Sequence, residues 1–499
     1  MKRDNPPADP LSSDPTGLRG RHVIVLNWKD DQHPEAGGAE LYCHAIAERF
    51  SQHGAKVCLL TARAAGQSRR DTKNGVEIRR AGGTYSVYPL VLLRLLIWRV
   101  MAPWRLDLIL DCQNGIPFFA PLVVRRRTAV VMLIFHVHQD QFGLYMSPMA
   151  ACVGRWLEGA ASRIVYHRRT VVVISPSTRQ RVRDRLKLGG AIFVVPCGSE
   201  SVASISAPRS IFPTLVCVGR IVPHKRLHLL LKALPVIISH HPQLHVDVIG
   251  EGISRLELES LAIELGVDQH VTFHGHVSSV RRDALASSGW LAVNPSLGEG
   301  WGLSIIEANA AGRPAVCLNV DGLRDAVRDG VTGWVAAHPD DLAETIVKAL
   351  NILSDESEAA IWSSRARDWA ASFSWDATAV GMSDVLLAES ERLASASGLR
   401  QRNDLALRVT VEGATIEQSS RGRRTDVWRE QPGGITGLLY GLDERDLRVV
   451  LDRLNLGNPI DVRVARTEDF LLAPRLGEPT DGGPTSISSS RDAPLGIAQ

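Results

Sequence analysis

The chain has 499 residues, of which 44% are hydrophobic, 22% charged and 5% aromatic. This length exceeds what one hydrophobic core usually organises, so a single small module is excluded and two domains with appendages are expected. The composition also excludes a chain disordered throughout and a polytopic membrane protein. The net charge of +3, from 57 basic and 54 acidic residues, is too balanced to indicate a nucleic-acid partner.

The first residues and the cysteines both predict a cytoplasmic protein. Residues 1–20 have no apolar segment of the kind a secretory signal needs, and their Pro, Asp and Ser content predicts a disordered leader. Seven cysteines occur without a C-x-x-C pair, mostly inside apolar runs, as expected for reduced and buried thiols.

Residues 21–198 predict a first Rossmann-like domain, which the family resemblance given below places on the acceptor side. An apolar strand ends at a glycine turn, Gly37 and Gly38, which leads into a helix; this is the opening of a mononucleotide-binding unit. The later strands are continuous apolar runs, which is typical of a parallel sheet covered on both faces. The predicted strands are 22–28, 56–62, 75–80, 106–111, 129–135, 170–175 and 192–196.

A second domain of the same kind is predicted after a linker of small residues and Pro at 199–213. Residues 214–397 repeat the strand-and-helix alternation, with strands at 214–220, 244–250, 270–275, 289–295 and 313–319. The fold class is therefore α/β, with two doubly wound domains facing a central cleft, where the carboxyl ends of the strands bind ligands.

A C-terminal extension follows these two domains. Residues 398–476 contain one alternating strand pattern and one helical pattern, so they predict an α/β extension whose role the sequence does not indicate. Residues 477–499 are rich in Gly, Pro and Ser and predict a disordered tail.

The most informative motif is the stretch 298–312, GEGWGLSIIEANAAG. It follows a strand and enters a short helix, which places Glu299 on the loop at the cleft and Glu307 inside the helix. The glycines leave backbone N–H groups open at the helix N-terminus, where an anion such as a diphosphate is favoured. The carboxylates are suited to sugar hydroxyls instead. Either glutamate alone would be interpreted as a solvated charge at a helix start; the glycine pattern and the position in the second domain together favour a binding role.

A basic motif, VGRIVPHKR, follows the first strand of the second domain. Arg220 and Lys225 are the early basic residues directed at the mouth of this sheet. Together they are able to hold a diphosphate leaving group, Arg as a planar fork and Lys as a point charge. A surface charge pair before a helix is the alternative for either residue alone.

The combination of G-R-x4-K with E-x7-E resembles the retaining GT-B glycosyltransferases of glycosyltransferase family 4, and the similarity covers roughly residues 22–396. The resemblance implies that Arg220 and Lys225 bind the donor diphosphate. It also implies that Glu299 contacts the transferred sugar and Glu307 the nucleotide ribose. Further donor contacts implied by position are Gly37, Gly38, Gly219, Gly275, Gly300, Trp301, Gly302 and Leu303.

The same resemblance implies an active-site histidine near the donor sugar. His136 ends a strand of the first domain and is the residue we assign to this role, with His138 and Asp140 as neighbouring alternatives. No D-x-D motif lies at a strand end, so we expect no metal and no bound cofactor beyond the nucleotide-diphosphate sugar as co-substrate. The Arg and Lys cations take the place of a metal electrostatically.

One apolar segment of the first domain suggests a membrane contact. Tyr88–Trp104 predicts a helix of about thirteen apolar residues between two prolines, too short to cross a bilayer of ~30 Å. Its Trp and Arg residues suit a membrane interface, and Arg125–Arg127 would meet anionic lipid. An ordinary helix packed on the sheet is the equal alternative.

These observations predict a retaining, metal-independent hexosyltransferase that uses a UDP- or GDP-sugar and an acceptor hydroxyl. The expected acceptor is a glycan or a lipid-linked molecule of envelope glycan or glycolipid synthesis, reached from the cytoplasm at the inner face of the membrane. Two alternatives stay open at this point: a sugar-nucleotide epimerase of the same architecture, and a non-catalytic scaffold that binds nucleotide sugars. The intact set of Arg220, Lys225, Glu299 and Glu307 argues against the scaffold.

Overall fold

The fold was analysed in a computed structural model, which describes residues 14–189, 192–199, 207–394, 406–419, 426–440, 442 and 444–464. Within these residues, three β-sheets of eight, six and four strands are present. The first two are the parallel sheets of two α/β domains, and the third belongs to the C-terminal extension. Two Rossmann-like domains were predicted and are confirmed.

The first domain is built on an eight-stranded sheet with the order β3-β4-β2-β1-β5-β6-β7-β8. Neighbouring strands are parallel except for β3 and β4, whose antiparallel hairpin turns at Asn74 and Gly75 with positive φ at both residues. Strand β3 was not predicted, because its residues are charged and it lies at the sheet edge. The strands are β1 (His22–Leu26), β2 (Lys56–Thr61), β3 (Arg70–Lys73), β4 (Val76–Arg80), β5 (Leu108–Gln113), β6 (Ala129–Ile134), β7 (Val171–Val173) and β8 (Ile192–Val194).

Helices cover both faces of this sheet, which explains why strands such as β5 and β6 are buried along their whole length. The helix after the glycine turn, α1, packs six buried side chains into the hydrophobic core: Tyr42, Cys43, Ala45, Ile46, Ala47 and Phe50. The helices are α1 (Gly38–Gln52), α2 (Val87–Met101), α3 (Phe142–Tyr145), α4 (Pro148–Trp156), α5 (Ser162–Tyr166) and α6 (Pro176–Arg181).

The second domain has a six-stranded parallel sheet with the order β11-β10-β9-β12-β13-β14. Its strands are β9 (Thr214–Val218), β10 (His245–Ile249), β11 (Val271–Gly275), β12 (Leu291–Asn294), β13 (Ala315–Leu318) and β14 (Gly333–Ala336). Its helices are α7 (Leu227–His240), α8 (Arg255–Glu264), α9 (Ser279–Ser288), α10 (Leu303–Ala310), α11 (Leu323–Ala326), α12 (Leu342–Leu353) and α13 (Glu356–Ala371). Strand β14, with four residues, was not predicted.

The last helix of the predicted second domain, α14 (Trp375–Ala394), lies on the first domain. Its Trp375 ring meets Tyr42 of α1 edge to face at 5.8 Å, and its Glu389 accepts a hydrogen bond of 2.8 Å from Thr170. The predicted second domain, 214–397, therefore ends in a helix that returns to the first domain and packs on it. The sequence predicts a helical segment here but not which sheet it packs against.

The extension forms a four-stranded antiparallel sheet with the order β16-β17-β15-β18. Its elements are β15 (Ala406–Glu412), α15 (Ile416–Ser419), β16 (Val427–Gln431), β17 (Gly434–Tyr440), α16 (Glu444–Arg453) and β18 (Asp461–Val464). Of these, only the strand β15 and the helix α16 were predicted. Leu407, Val409 and Val411 join the same hydrophobic cluster as the first domain and α14.

The termini and the linker are described only in part. Residues 1–13, part of the linker (200–206) and the tail 477–499 lie outside the described residues. Residues 14–20 were predicted as part of a disordered leader, and this is wrong for the structure: they form a turn in which Leu18 is fully buried. The hydrogen bond of 2.9 Å from the Gly20 amide to the Gly54 carbonyl holds this turn against the first domain.

Candidate functional site

The carboxyl ends of the two parallel sheets meet, and the loops at these ends touch each other. A Cβ at Gly300 would lie 2.3 Å from the carbonyl oxygen of Phe135, so only glycine permits this approach. The hydroxyl of Thr178 donates to the Gly300 carbonyl at 3.3 Å, and Arg181 forms an ion pair with Asp321 across the same junction. The predicted site residues are brought together around this junction.

Glu299 lies in the loop after β12 and is anchored from three sides. Its carboxylate forms an ion pair with Lys225 and accepts a hydrogen bond of 2.7 Å from the Ser296 hydroxyl. Its backbone N–H donates to the Asp321 carbonyl at 3.0 Å. Burial favours the neutral acid, but the charge of Lys225 and these hydrogen bonds hold the pKa of Glu299 below its usual value. The side chain is therefore an ionised acceptor at neutral pH.

Lys225 and Arg220 come from the loop after β9. A short 3-10 turn, Pro223–Lys225, presents the lysine, and it ends at Arg226 with a positive φ of 50°. Arg226 then donates to the Pro295 carbonyl at 3.2 Å, which fastens this loop to the Glu299 loop. Arg220 is exposed, and within the described part of the chain its guanidinium forms no ion pair. It is therefore available to an anionic ligand.

His136 follows β6 of the first domain and reaches the Glu299 loop. The Gln141 amide lies 3.0 Å from Nε2 of His136, and the Cε1 atom of the ring is 3.7 Å from where a Cβ on Gly298 would stand. Burial and the neighbouring ring of His138 lower the pKa of His136 to about 3. The imidazole is consequently neutral, so it acts through hydrogen bonds rather than charge.

The two alternatives to His136 are engaged elsewhere. The His138 backbone donates to Glu158 at 2.7 Å, and its ring Nδ1 lies 3.4 Å from the same carboxylate. Asp140 forms an ion pair of 2.9 Å with Arg181. These contacts favour His136 as the histidine directed at the site.

The glycine turn of the first domain lies opposite the helix α10. A Cβ on Gly38 would be 3.9 Å from the side chain of Leu303. The Gly37 amide donates to Glu40 at 2.8 Å, and Asn114 donates to the other oxygen of the same carboxylate at 3.0 Å. Burial raises the pKa of Glu40. The turn is thus held rigidly beside the N-terminus of α10.

The residues at the start of α10 divide into backbone and side-chain roles. Gly302 caps the helix with φ of 80°, which favours glycine there. Trp301 is buried and packs edge to face on Phe373 at 4.9 Å, so only its backbone faces the junction. Glu307 is half-buried one turn into the helix, and its charge helps raise the pKa of Cys197 of the first domain. It therefore lies where the two domains join.

The remaining predicted glycines lie at strand ends of the second sheet. Gly219 directly follows β9 and lies beside Lys225. A Cβ added to Gly219 would stand 3.8 Å from the lysine Nζ. Gly275 ends β11 and accepts a hydrogen bond of 3.0 Å from the Gly250 amide. Gly275 has φ of 69°, and a Cβ there would lie 2.7 Å from Glu251. Both positions are at the carboxyl ends of the strands of this sheet.

Sequence reasoning missed four residues of this site. Ser296 and Asp321 hold Glu299, while Gln141 contacts His136. His224 has its pKa lowered to about 4 by burial and by the charge of Lys225. His224 stands inside the VGRIVPHKR motif and Ser296 stands two residues before the stretch 298–312, but their contacts carry no sequence signal of their own.

Among the residues that the structure describes, no group of three or more His, Cys, Asp or Glu side chains is arranged to hold a metal ion. The cation in contact with Glu299 is the side chain of Lys225.

Comparisons with known proteins match both halves of the chain. A family model described as "Glycosyl transferases group 1" matches residues 205–369, and one described as "Glycosyltransferase Family 4" matches residues 36–200. Glycogen synthase of Mycobacterium tuberculosis is 28% identical over 263 residues, which is 52% of this chain and 63% of that relative. The chain thus spans less than two thirds of the length of this curated relative.

Solved structures of similar fold cover most of the chain. Sucrose-phosphate synthase from Thermosynechococcus elongatus has a TM-score of 0.60 and 19% identity, over 72% of this chain and 97% of that one. HepE of Anabaena, solved in complex with UDP-glucose, has a TM-score of 0.52 and 18% identity, over 75% of this chain and 98% of that one. At these identities the matches establish the shared fold.

Proposed function

This chain belongs to the group 1 glycosyltransferases of the GT-B fold, and we propose on that basis that it transfers a hexose from a nucleotide-diphosphate sugar to an acceptor hydroxyl with retention of configuration. One observation carries the proposal: a cationic loop and an anionic loop are fastened to each other at the meeting point of the two sheets. The Lys225–Glu299 ion pair joins them. The diphosphate of the donor requires cations and the hydroxyls of its sugar are suited to a carboxylate, so the two kinds of side chain have to lie next to each other.

The diphosphate would lie between Arg220 and the N-terminus of α10. Arg220 offers a planar fork that no described carboxylate occupies. The first backbone N–H groups of α10 are without helical partners, and the helix dipole favours an anion there. Lys225 adds a point charge that stabilises the departing diphosphate without a metal, a role worth ~3–4 kcal/mol for a well-placed group.

The sugar and the ribose would be held by the carboxylates. Glu299 is ionised and held by Lys225 and Ser296, so it can accept hydrogen bonds from sugar hydroxyls in one fixed orientation. Glu307, deeper in α10, would accept from the ribose hydroxyls. The neutral His136 would orient the sugar from the first domain. Closure of the two domains around this point excludes water and limits hydrolysis of the donor.

The donor is proposed to be a UDP- or GDP-hexose. HepE, whose structure contains UDP-glucose, shares the fold. The acceptor is proposed to be a glycan or a lipid-linked molecule, as in envelope glycan or glycolipid synthesis, with the reaction on the cytoplasmic side. An epimerase would also need acid and base groups around the sugar C2, and the junction presents no such dedicated pair beyond His136 and the salt-bridged Glu299.

Peripheral attachment to a membrane is part of the proposal. The helix α2 buries Val91, Leu95 and Trp98 against the sheet while Leu93, Ile97 and other apolar side chains stay exposed. Among the described helices, none has the length and apolarity required to traverse a bilayer. An interfacial helix with nearby arginines would bind anionic lipid reversibly.

The test is a donor and acceptor assay on the full chain. Nucleotide sugars are first screened by thermal shift, because a ligand of the native state raises the melting temperature by mass action. Release of free nucleotide diphosphate is then followed with and without candidate acceptors. Acceptor-dependent release with an α-linked product from an α-linked donor supports the proposal. Isomerised nucleotide sugar would instead identify an epimerase, and binding without turnover a scaffold.

A further inference from the structure

A cavity lined by arginines lies in the first domain, outside the donor site. It measures about 380 Å³, is bounded on one side by Leu90 and Val91 of α2, and has no acidic residue in its lining. Its arginines come from the loop after β2, from the hairpin β3–β4 and from α2: Arg63, Arg69, Arg70, Arg79, Arg80 and Arg94.

Two of these six arginines form ion pairs with carboxylates of the protein. Arg79 pairs with Glu77 and Arg80 with Asp30, each at 2.5 Å. Across the described ranges, the other four arginines of the cavity form no ion pair with a carboxylate. Burial lowers the pKa of the Arg94 guanidinium, and the charges of Arg79 and Arg70 lower it further. Clustered cations without counter-ions repel each other, and a bound anion removes that cost.

The cavity is connected to the candidate donor site through one loop. Arg80 donates to Asp30 at 2.5 Å and to Gln32 at 2.6 Å, in the loop that follows β1. In the same loop, Lys29 pairs with Glu35. The pKa of Glu35 is lowered by Lys29 and also by the charge of Arg220. The cavity is therefore on the acceptor domain, at the carboxyl end of β4, with this loop between it and the donor site.

We propose that this cavity binds a phosphate group carried by the acceptor. Arginine forks match the geometry of phosphate oxygens, and several together favour a phosphate over a single carboxylate. The proposal rests on the glycosyltransferase function proposed above, which it narrows to phosphorylated acceptors. The phosphate belongs either to a lipid, whose chains would lie along the exposed apolar side of α2, or to a soluble phosphate ester.

The test uses binding, so that it does not depend on turnover. The full chain is titrated with inorganic phosphate and with glycerol 3-phosphate. It is also sedimented with phosphatidylcholine vesicles containing 0 or about 20 mol% phosphatidic acid. The variants are Arg69→Gln with Arg70→Gln, both exposed, and separately Arg94→Gln. The matched control is Arg281→Gln with Arg365→Gln, which removes two exposed arginines from the second domain.

We expect at least one of these phosphate probes to bind, and binding to weaken about 10-fold for each arginine removed, equivalent to about 1.4 kcal/mol. The control should bind as wild type does. Binding of the soluble ester identifies a soluble acceptor, and binding of phosphatidic acid vesicles alone identifies a lipid. The inference is overturned if no probe binds, or if the cavity variants and the control bind equally well.

A parallel titration with UDP and GDP separates this inference from the proposed function. Wild type and all variants should bind the same nucleotide diphosphate with affinities that agree within about two-fold, because the cavity lies apart from Arg220 and α10. If neither the wild type nor any variant binds UDP or GDP, the donor assignment is wrong, whether or not the cavity binds phosphate. If nucleotide binding falls together with phosphate binding in the cavity variants alone, the cavity is a nucleotide site and the acceptor inference is wrong.

Discussion

Replacing Lys225 with Met removes the cation of the ion pair while keeping a side chain of similar length. Lys225 and Glu299 are 19% and 18% exposed, so water screens their interaction less than on the open surface. Loss of the pair should destabilise the protein by about 1–3 kcal/mol, between the values for exposed and buried pairs. If Lys225 also stabilises the leaving diphosphate, kcat should fall by about 10²–10³.

The pH dependence of the variant separates these two effects. In wild type the lysine holds the pKa of Glu299 below its usual value against burial, so the carboxylate is ionised across neutral and mildly acidic pH. Without the lysine, burial raises that pKa, and the acid limb of kcat/KM should move to higher pH. The stability that the pair contributes is present at neutral pH and is lost as pH falls through the folded-state pKa of Glu299. The melting temperatures of the two proteins should therefore converge in acid.

The assay is a pH series of kcat/KM and melting temperature for wild type, Lys225→Met and two controls. Lys225→Arg retains the charge, so its acid limb should stay where wild type has it. Lys232→Met removes an exposed lysine from α7 and should change neither quantity. An acid limb that does not move in Lys225→Met, or a kcat within about three-fold of wild type, would refute the reasoning.

Four further predictions concern the donor site, the C-terminal extension and the helix α2. Glu307→Gln should weaken nucleotide diphosphate binding in calorimetry more than it lowers kcat at saturation; unchanged affinity would contradict a ribose contact. Gly300→Ala puts a methyl group against the Phe135 carbonyl, where 2.3 Å is available, so kcat should fall at least 10-fold while far-UV circular dichroism stays native; full activity would mean that the loops do not meet in turnover. A chain ending at Ser397 should melt at lower temperature, because the extension shares a hydrophobic cluster with α14, yet keep donor binding; loss of nucleotide binding from the folded truncation would place the extension in the site. Sedimentation with anionic vesicles should decline as salt rises, since charges are screened over ~8 Å at physiological ionic strength; no pelleting at low salt would leave α2 as an ordinary packed helix.

Local patterns were sufficient for much of the fold. Continuous apolar runs such as that of β6 predicted parallel strands, because a strand covered on both faces has no polar side to mark it. Among the strands that were missed, β3 and β16 lie at sheet edges and carry charged residues, so their hydrophobic pattern is weak. The buried turn at Leu18 was missed for a related reason. A single apolar side chain, Leu18, is buried there, and the surrounding composition is that of a disordered segment.

The sequence by itself determined which residues are candidates for the site, because Arg220, Lys225, Glu299 and Glu307 stand in short motifs at strand ends and a helix start. The tertiary structure alone decided which of them act on each other. The Lys225–Glu299 pair joins residues 74 positions apart, and the preference for His136 over His138 depends on a carboxylate, Glu158, 20 positions further along the chain. Such contacts depend on how two sheets and their loops approach each other, and that approach is set by packing over the whole core rather than by any local pattern.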